Sequence, residues 1–481
     1  MKLEQFRSTL RQKVTPSPRK KFEEVSDLEK VRLEKREVKY DANELRGIMN
    51  LSSIQTTKME ESGKKKLKVI GITGSRGKSS VAYIVHNYLK NCGFRSILYS
   101  SIEIDSPVSF CAEKSAVENP IRDERMILDA IEDAIEYNAD YLIIEVNERA
   151  IGKGLTKDIP FDIRVLTGIV PKHNDILYPN YVEIKKQFLR EADYDTKLIS
   201  TIYNNETISL VNELKGRDLV TFGSKYVSGV YNLDQSKIKY LLSNSDKDYE
   251  SIYGLNMIVN INGKGYELST NLNMPFHGMN ITCSVAILNE LNTFECKRFQ
   301  NLISDINIPG RDEVIKYNNR TIIISTNLVP HLEVLKRYQS KGQVNKIRIV
   351  TGATGIDFVS WDKEFDDNIY LKDKEFSMSY AYNYMKQYAD VVYVTTSDSG
   401  NANKEALISY QAKLLDNQVV VHKEVDRTMA IKKAINDSLE NDVIFISGRG
   451  NRVVMCDSED HIKLHLDKDV VINVLNNLKQ E

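Results

Sequence analysis

Cysteine is scarce in this chain, and what there is lies scattered. Cys92, Cys111, Cys283, Cys296 and Cys456 are odd in number, and no two form a CxxC pair. That pattern argues against a disulfide framework and against a zinc knuckle, and it fits a reducing compartment. Net charge is missing too: 66 basic and 67 acidic residues leave −1. Bulk electrostatics therefore gives no reason to expect nucleic acid or an anionic membrane surface as a partner. No stretch approaches the ~20 apolar residues of a membrane span, and the opening "MKLEQFRSTLRQKV" has no apolar core of signal-peptide length. A cytoplasmic protein without a membrane span is expected. Internal repeats and low-complexity tracts are also absent.

What is present is ordinary globular sequence: 481 residues, 41% hydrophobic and 28% charged. At about 150 residues per domain, roughly three domains are expected. Residues 1–66 are charge-rich and apolar-poor and end in the polar linker "EESGKKKLK". They read as a charged, partly helical, partly flexible extension, or as a small cap over the domain that follows. From residue 67 the rhythm changes. "LKVIGIT" is a short apolar run stopped by glycine. "SSVAYIVHNYLKNCG" has helical spacing, with Val81, Ile84, Val85, Tyr88 and Leu89 on one face and Gly93 as its stop. "RSILYSS", "ADYLIIEV" and "FDIRVLTGIV" read as strands, with the amphipathic "RDERMILDAIEDAIEYN" among them. Such alternation predicts a parallel, doubly wound sheet. Residues 215–275 show strand-like alternation and suggest an antiparallel lobe. After the Pro-Gly hinge in "DINIPGRDEV", strands and helices alternate again. The fold expected is α/β: a central domain at 67–307 with a parallel sheet and a P-loop, then a Rossmann-like C-terminal α/β domain at 308–481.

The stretch "GITGSRGKSS" carries the first chemistry. The GxxxxGK[ST] pattern fails by one residue, because Gly71 lies one place too early. The physics holds nonetheless. Gly74 and Gly77 let backbone N–H groups turn toward an anion, and a helix starting near Lys78 adds its positive end. Lys78 can reach a β- or γ-phosphate, and the Ser79 hydroxyl can ligate Mg²⁺. Gly74, Ser75, Arg76, Gly77, Lys78, Ser79 and Ser80 are therefore the candidate ATP-phosphate contacts. A glycine-rich βα turn with no ligand is the plain alternative.

The spelling GxTGSxGKS resembles the GxTGTxGKT loop of the Mur ligase superfamily, whose members join a carboxylate to an amine while hydrolysing ATP. Further motifs resemble that family, most of all its tripeptide-synthetase branch. "IIEVNERAIGKGLTKDIPFDIRVLTGI" is similar to the family's E-V-S-S-H-A-L and F-D-V-A-V-F-T-N-L segments, and the resemblance makes Glu145 a magnesium ligand. "KHNDILYP" stands where the family has D-H-L-D-Y-H, which makes His173 a ligand of a second metal. "YVEIKKQFL" resembles Y-x-x-A-K-x-x-L-F and places Lys185 (Lys186 is its neighbour) on the lysine that becomes carbamylated. A free lysine amine, pKa about 10.4, is a cation, whereas its CO₂ adduct offers the anionic oxygen that a hard cation prefers. "HGMNITCSVA" is similar to the helix that touches adenine, with Asn280 as its first asparagine. "IPGRDE" is similar to the P-G-R-x-E hinge, with Arg311 suited to clamp a phosphate or carboxylate. An ordinary helix start and a structural salt bridge are the plain readings of those two.

Past the hinge the resemblance thins. "STNLVP" keeps only Pro330 of D-Y-A-H-x-P, with Ser325 in place of the ribose-binding Asp. "TTSDSGN" keeps Thr396, Ser397 and Asp398 of T-S-D-N-P-R. Gly448-Arg449-Gly450-Asn451-Arg452 stands for G-K-G-H-E. The first 66 residues do not resemble the family's UDP-binding domain. The resemblance thus implies an ATP- and Mg²⁺-dependent ligase for a small-molecule or peptide carboxylate and an amino acid or other amine. Lys78, Lys185 and His173 are its catalytic candidates; Ser79, Glu145, His173 and Lys185 are its metal ligands. A nucleotide-binding pseudoenzyme or regulatory subunit, and a plain NTPase, are the rivals.

Overall fold

The structure is a computed structural model. It describes residues 67–107, 124–157, 159–170, 180–225, 238–244, 249–353, 367–399, 402–415, 418–458 and 461–478. The expected N-terminal extension and His173 lie outside the described residues. The described chain divides between Ile308 and Pro309 into two compact units.

In the first unit the elements run β1 (Lys68–Thr73), α1 (Lys78–Asn91), β2 (Ser96–Tyr99), β3 (Ile104–Asp105), α2 (Glu124–Glu136), β4 (Tyr141–Glu145), α3 (Glu148–Gly152), β5 (Ile163–Leu166), α4 (Tyr181–Arg190), β6 (Lys197–Thr201), α5 (Asn205–Glu213), β7 (Leu219–Ser224), β8 (Tyr240–Asn244), β9 (Glu250–Ser251), β10 (Gly254–Ile261), β11 (Lys264–Thr270), α6 (Phe276–Glu290) and α7 (Cys296–Ile303). Their strands form one sheet of order β11-β10-β8-β7-β6-β5-β1-β4-β2-β3, with β9 paired to β10. From β2 through β8 every neighbouring pair is parallel. β2, β4 and β5 are buried along their whole length, as the unbroken apolar runs of a parallel sheet covered on both faces require.

The alternation at 254–270 does make an antiparallel hairpin, β10–β11. The hairpin is part of the main sheet. β10 also pairs with β8, which continues the parallel part. Period-two alternation reports a strand with one buried face; it carries no information about which sheet the strand joins.

The helix after the loop buries the face its spacing marked. Val81, Ile84, Val85, Tyr88 and Leu89 are all fully buried, in one core with Ile281, Val285 and Leu288 of α6. Each such side chain contributes about 1.5–3 kcal/mol. The Tyr88 hydroxyl donates to Thr293 O and accepts from Glu295 N, both at 2.8 Å. This closes α1 onto the segment that follows α6.

In the second unit the order is β12 (Arg311–Tyr317), β13 (Arg320–Ser325), α8 (Val329–Ser340), β14 (Ile347–Ala353), α9 (Asp367–Tyr388), β15 (Val391–Thr396), α10 (Lys404–Leu414), β16 (Val420–Lys423), α11 (Arg427–Asn436), β17 (Val443–Ser447), β18 (Val454–Ser458), β19 (His461–Leu464) and α12 (Asp467–Leu478). Six strands pair as β12-β13-β17-β14-β15-β16, all parallel except β12, and β18–β19 is a separate hairpin. Both units are thus α/β with mainly parallel sheets.

A buried ion pair fastens α12 to α11. Asp467 takes both Arg427 Nε and Nη2 at 2.8 Å and His465 Nε2 at 2.9 Å. Burial pushes the Asp467 carboxyl up, but Arg427 and His465 together overcome that and hold it well below the ordinary carboxylate range. The pair's stability contribution is therefore present above the unfolded carboxyl's pKa of about 3.9 and is lost as pH falls below it. Asp467→Asn is expected to lower unfolding stability by about 3–5 kcal/mol at neutral pH, since it leaves Arg427 buried without its charge partner. It should also flatten the acid limb of the stability profile. Denaturant melts across pH check both.

Candidate active site

β1 ends at Thr73, and α1 begins at Lys78. In the strand order β1 lies between β4 and β5, while its own chain continues to β2 beyond β4. The order reverses around β1, and its C-terminal end is the switch point where open α/β sheets bind ligands.

The four residues between carry the geometry of an anion-binding turn. Gly74 and Gly77 have φ of +147° and +84°. A Cβ on Gly74 would lie 2.1 Å from Thr167 Oγ1, and one on Gly77 would lie 2.4 Å from Asn280 Oδ1. Glycine is demanded at both places, by backbone conformation and by a neighbour. The same fact sets Asn280, on α6, against the loop. Asn280 Nδ2 is 3.3 Å from His277 Nδ1 one turn earlier. Gly77→Ala is expected to cost about 1–3 kcal/mol of stability and to weaken ADP binding at least tenfold; a melt and an ADP titration read the two effects.

The rest of the loop is tied to β5 and α4. Ser75 N donates to Gly168 O at 2.8 Å, and Val170 N donates to Ser75 Oγ at 2.8 Å. The Tyr181 hydroxyl lies 3.0 Å from the same Ser75 oxygen. Lys78 Nζ donates to Gly74 O at 2.9 Å, across the turn. Arg76 is exposed, whereas Ser80 is buried.

Ser79 and Glu145 meet. The Ser79 hydroxyl donates to Glu145 Oε1 at 3.0 Å, from the first turn of α1 to the last residue of β4. Glu145 is almost fully buried. Its other oxygen accepts from Ser100 Oγ at 3.1 Å, Ser101 N at 2.8 Å and Ser101 Oγ at 2.9 Å. A buried carboxylate persists when hydrogen-bonded in this way. Two hard oxygen donors in contact at the mouth of a phosphate turn suit Mg²⁺, so the residues present fit that ion. Ser100 and Ser101 escaped the sequence reading. Their signal was the polar pair closing the apolar run "RSILYSS", which strand order sets beside β4.

Lys185 lies near the loop in a different setting. Its side chain is fully buried on α4, and Nζ is 2.9 Å from Glu148 Oε2 and 3.3 Å from Thr73 Oγ1. Lys186 pairs with the exposed Glu183 instead. Asn147 caps α3 by accepting from Ala150 N at 2.8 Å, a preferred cap residue that sets Glu148 in the first turn of that helix.

Arg311 is the first residue of β12, in the second unit, where Nη1 donates to Thr326 Oγ1 at 3.0 Å. In that unit Asp398 accepts from Arg449 Nη1 at 2.7 Å, both side chains fully buried, and Arg452 lies 3.4 Å from its other oxygen.

Comparison with known proteins places this arrangement. Residues 72–288 match the family described as Mur ligase middle domain. A UDP-N-acetylmuramoyl-L-alanyl-D-glutamate–2,6-diaminopimelate ligase of Aquifex aeolicus is 24% identical over 392 residues, 80% of this chain and 73% of the relative. A solved structure of a ligase of the same name superposes with a TM-score of 0.58 at 14% identity, covering 90% of this chain and 83% of that one. Escherichia coli FolC in complex with DHPP and ADP superposes with a TM-score of 0.57 at 14% identity, covering 86% and 89%. At such identities the two structural likenesses speak to fold.

Proposed function

We propose that this chain, whose residues 72–288 match the Mur ligase middle domain, is an ATP-dependent ligase that joins a carboxylate to an amine through an acyl phosphate. The observation that carries this reading is the contact of Ser79 with Glu145 at the mouth of the phosphate turn. Backbone N–H groups of the turn and the Lys78 ammonium receive the phosphates. The Ser79 hydroxyl and the Glu145 carboxylate would hold Mg²⁺, which when bound would offset the charge on the phosphate oxygens. Ser100 and Ser101 keep the carboxylate aimed. Asn280 borders the turn from α6, where the base of the nucleotide is expected. The substrate carboxylate attacks the γ-phosphorus as the bond to ADP breaks and ADP leaves; the amine then attacks the acyl carbon, and the amide forms as phosphate and a proton leave. The protein's work is to place the reactants and to stabilise charge.

The named relatives suggest the substrate class. One is named for joining diaminopimelate to a UDP-linked muramoyl dipeptide. A carboxylate-ended peptide and an amino acid are the substrates we infer. Among the described residues no helix is long and apolar enough to cross a membrane, and a cytoplasmic site of action follows from the need for ATP.

Phosphate release from Mg²⁺-ATP, measured over a matrix of γ-glutamyl and muramoyl peptides against amino acids, tests the reading. Release that requires both a carboxylate and an amine supports it. ADP binding with turnover indifferent to every amine would instead mark a nucleotide-binding regulatory protein or a plain NTPase.

A further inference from the structure

Two neighbours of Lys185 select for positive charge, and a hydroxyl accepts from it. Its Nζ is 2.9 Å from Glu148 Oε2, on a different helix. It donates to Thr73 Oγ1 at 3.3 Å. It also stands 5.5 Å from the centre of the Tyr181 ring, one turn earlier on α4. A carboxylate and the electron-rich face of an aromatic ring both attract a cation. The lysine side chain has no solvent exposure, and a buried cation is kept only with such partners.

A carbamate would invert both charge relations. Its formation joins the lone pair of an uncharged amine nitrogen to the carbon of CO₂, releases one proton, and leaves an anionic –NH–COO⁻ group. That anion would face the Glu148 carboxylate and the negative face of the ring. Sequence carries the same message independently, since the family segment E-V-S-S-H-A-L has serine where this chain has Glu148. The residues around Lys185 therefore do not fit a carbamate that holds a second metal.

We propose that Glu148 is a positioning residue that keeps Lys185 an ammonium, so that this chain sets a buried Lys–Glu ion pair, neutral overall, beside its phosphate turn where a carbamylated metal ligand would otherwise stand. The pair lies at Thr73, the residue from which the turn springs, on the α4 side of the loop. Only its placing at a nucleotide site rests on the ligase reading; the chemical state of Lys185 does not.

The test uses the full chain equilibrated with ¹³C-bicarbonate. Carbamates are observed by their carbonyl ¹³C resonance, then trapped by O-alkylation and located by peptide mass spectrometry. The wild type is expected to show no adduct on Lys185. Glu148→Ser is expected to gain one, with a carbonyl resonance that Lys185→Ala combined with Glu148→Ser lacks. A trapped carbamate on Lys185 of the wild type overturns the proposal, and so does a folded Glu148→Ser protein that gains none. If Glu148→Ser fails to fold, the wild-type measurement decides alone. Neither readout needs turnover, so a chain that proves inactive as a ligase would contradict the proposed function while leaving this result standing.

Discussion

Lys78→Ala is expected to lower ATP turnover by on the order of 10²- to 10³-fold while leaving the melting temperature nearly unchanged. Removing one preorganised donor from a site of developing charge has costs of that order. The stability effect should be small, because the side chain is only partly buried and its hydrogen bond runs to Gly74 O within the same turn. That bond parks the ammonium across the mouth of the loop, where, on the proposed reading, an incoming phosphate would take the place of the carbonyl. Turnover within a few-fold of the wild type would remove Lys78 from the mechanism. A collapse in melting temperature would mean that the loop itself had been lost.

Glu145→Gln is the second large effect, and it has a different signature. The Mg²⁺ concentration for half-maximal turnover is expected to rise by about 10²-fold or more, because a neutral amide replaces a charged oxygen ligand beside Ser79; even residues that merely orient ligands are worth 10–100-fold. Stability should fall as well, by about 1–3 kcal/mol. The amide nitrogen cannot accept, so donors among Ser79, Ser100 and Ser101 lose their partner. A magnesium titration at saturating ATP, set beside a melt, reads both. Unchanged magnesium dependence in a folded variant would exclude Glu145 as a ligand.

The two substitutions also show where the site was legible. Lys78 and Ser79 stand in one strand–turn–helix whose pattern is local, and every residue of the helix face marked by spacing is buried. Glu145 could be placed because it ends an apolar run, and runs of that kind become parallel strands. Its partners could not be placed. Ser100 and Ser101 lie more than 40 residues earlier, and only the adjacency of β2 and β4 brings them to the carboxylate. Glu148 stood in the sequence as a departure from a family spelling, and its meaning needed the packing of α3 against α4 to bring Lys185 within reach. In the second unit, Asp398 was noted as a motif residue kept and Arg449 as a motif residue changed; the fold makes them one buried contact. The Pro-Gly stretch read as a hinge leads directly into β12, with Arg311 already paired in the sheet against Ser325. Long-range pairing decides each of these cases, and local periodicity is blind to it.

The bonds that hold Ser75 have a consequence for how the molecule comes into being. Ser75 is fixed by Val170, 95 positions further along the chain. Closing so wide a loop costs chain entropy before any contact repays it, so such contacts form late. β1 and α1 can begin to fold on their own, but the phosphate turn cannot take its final shape until β5 has docked beside β1. A chain emerging from the ribosome would thus gain the proposed nucleotide site only after β5 has closed onto β1, and ATP would select the completed core over its precursors.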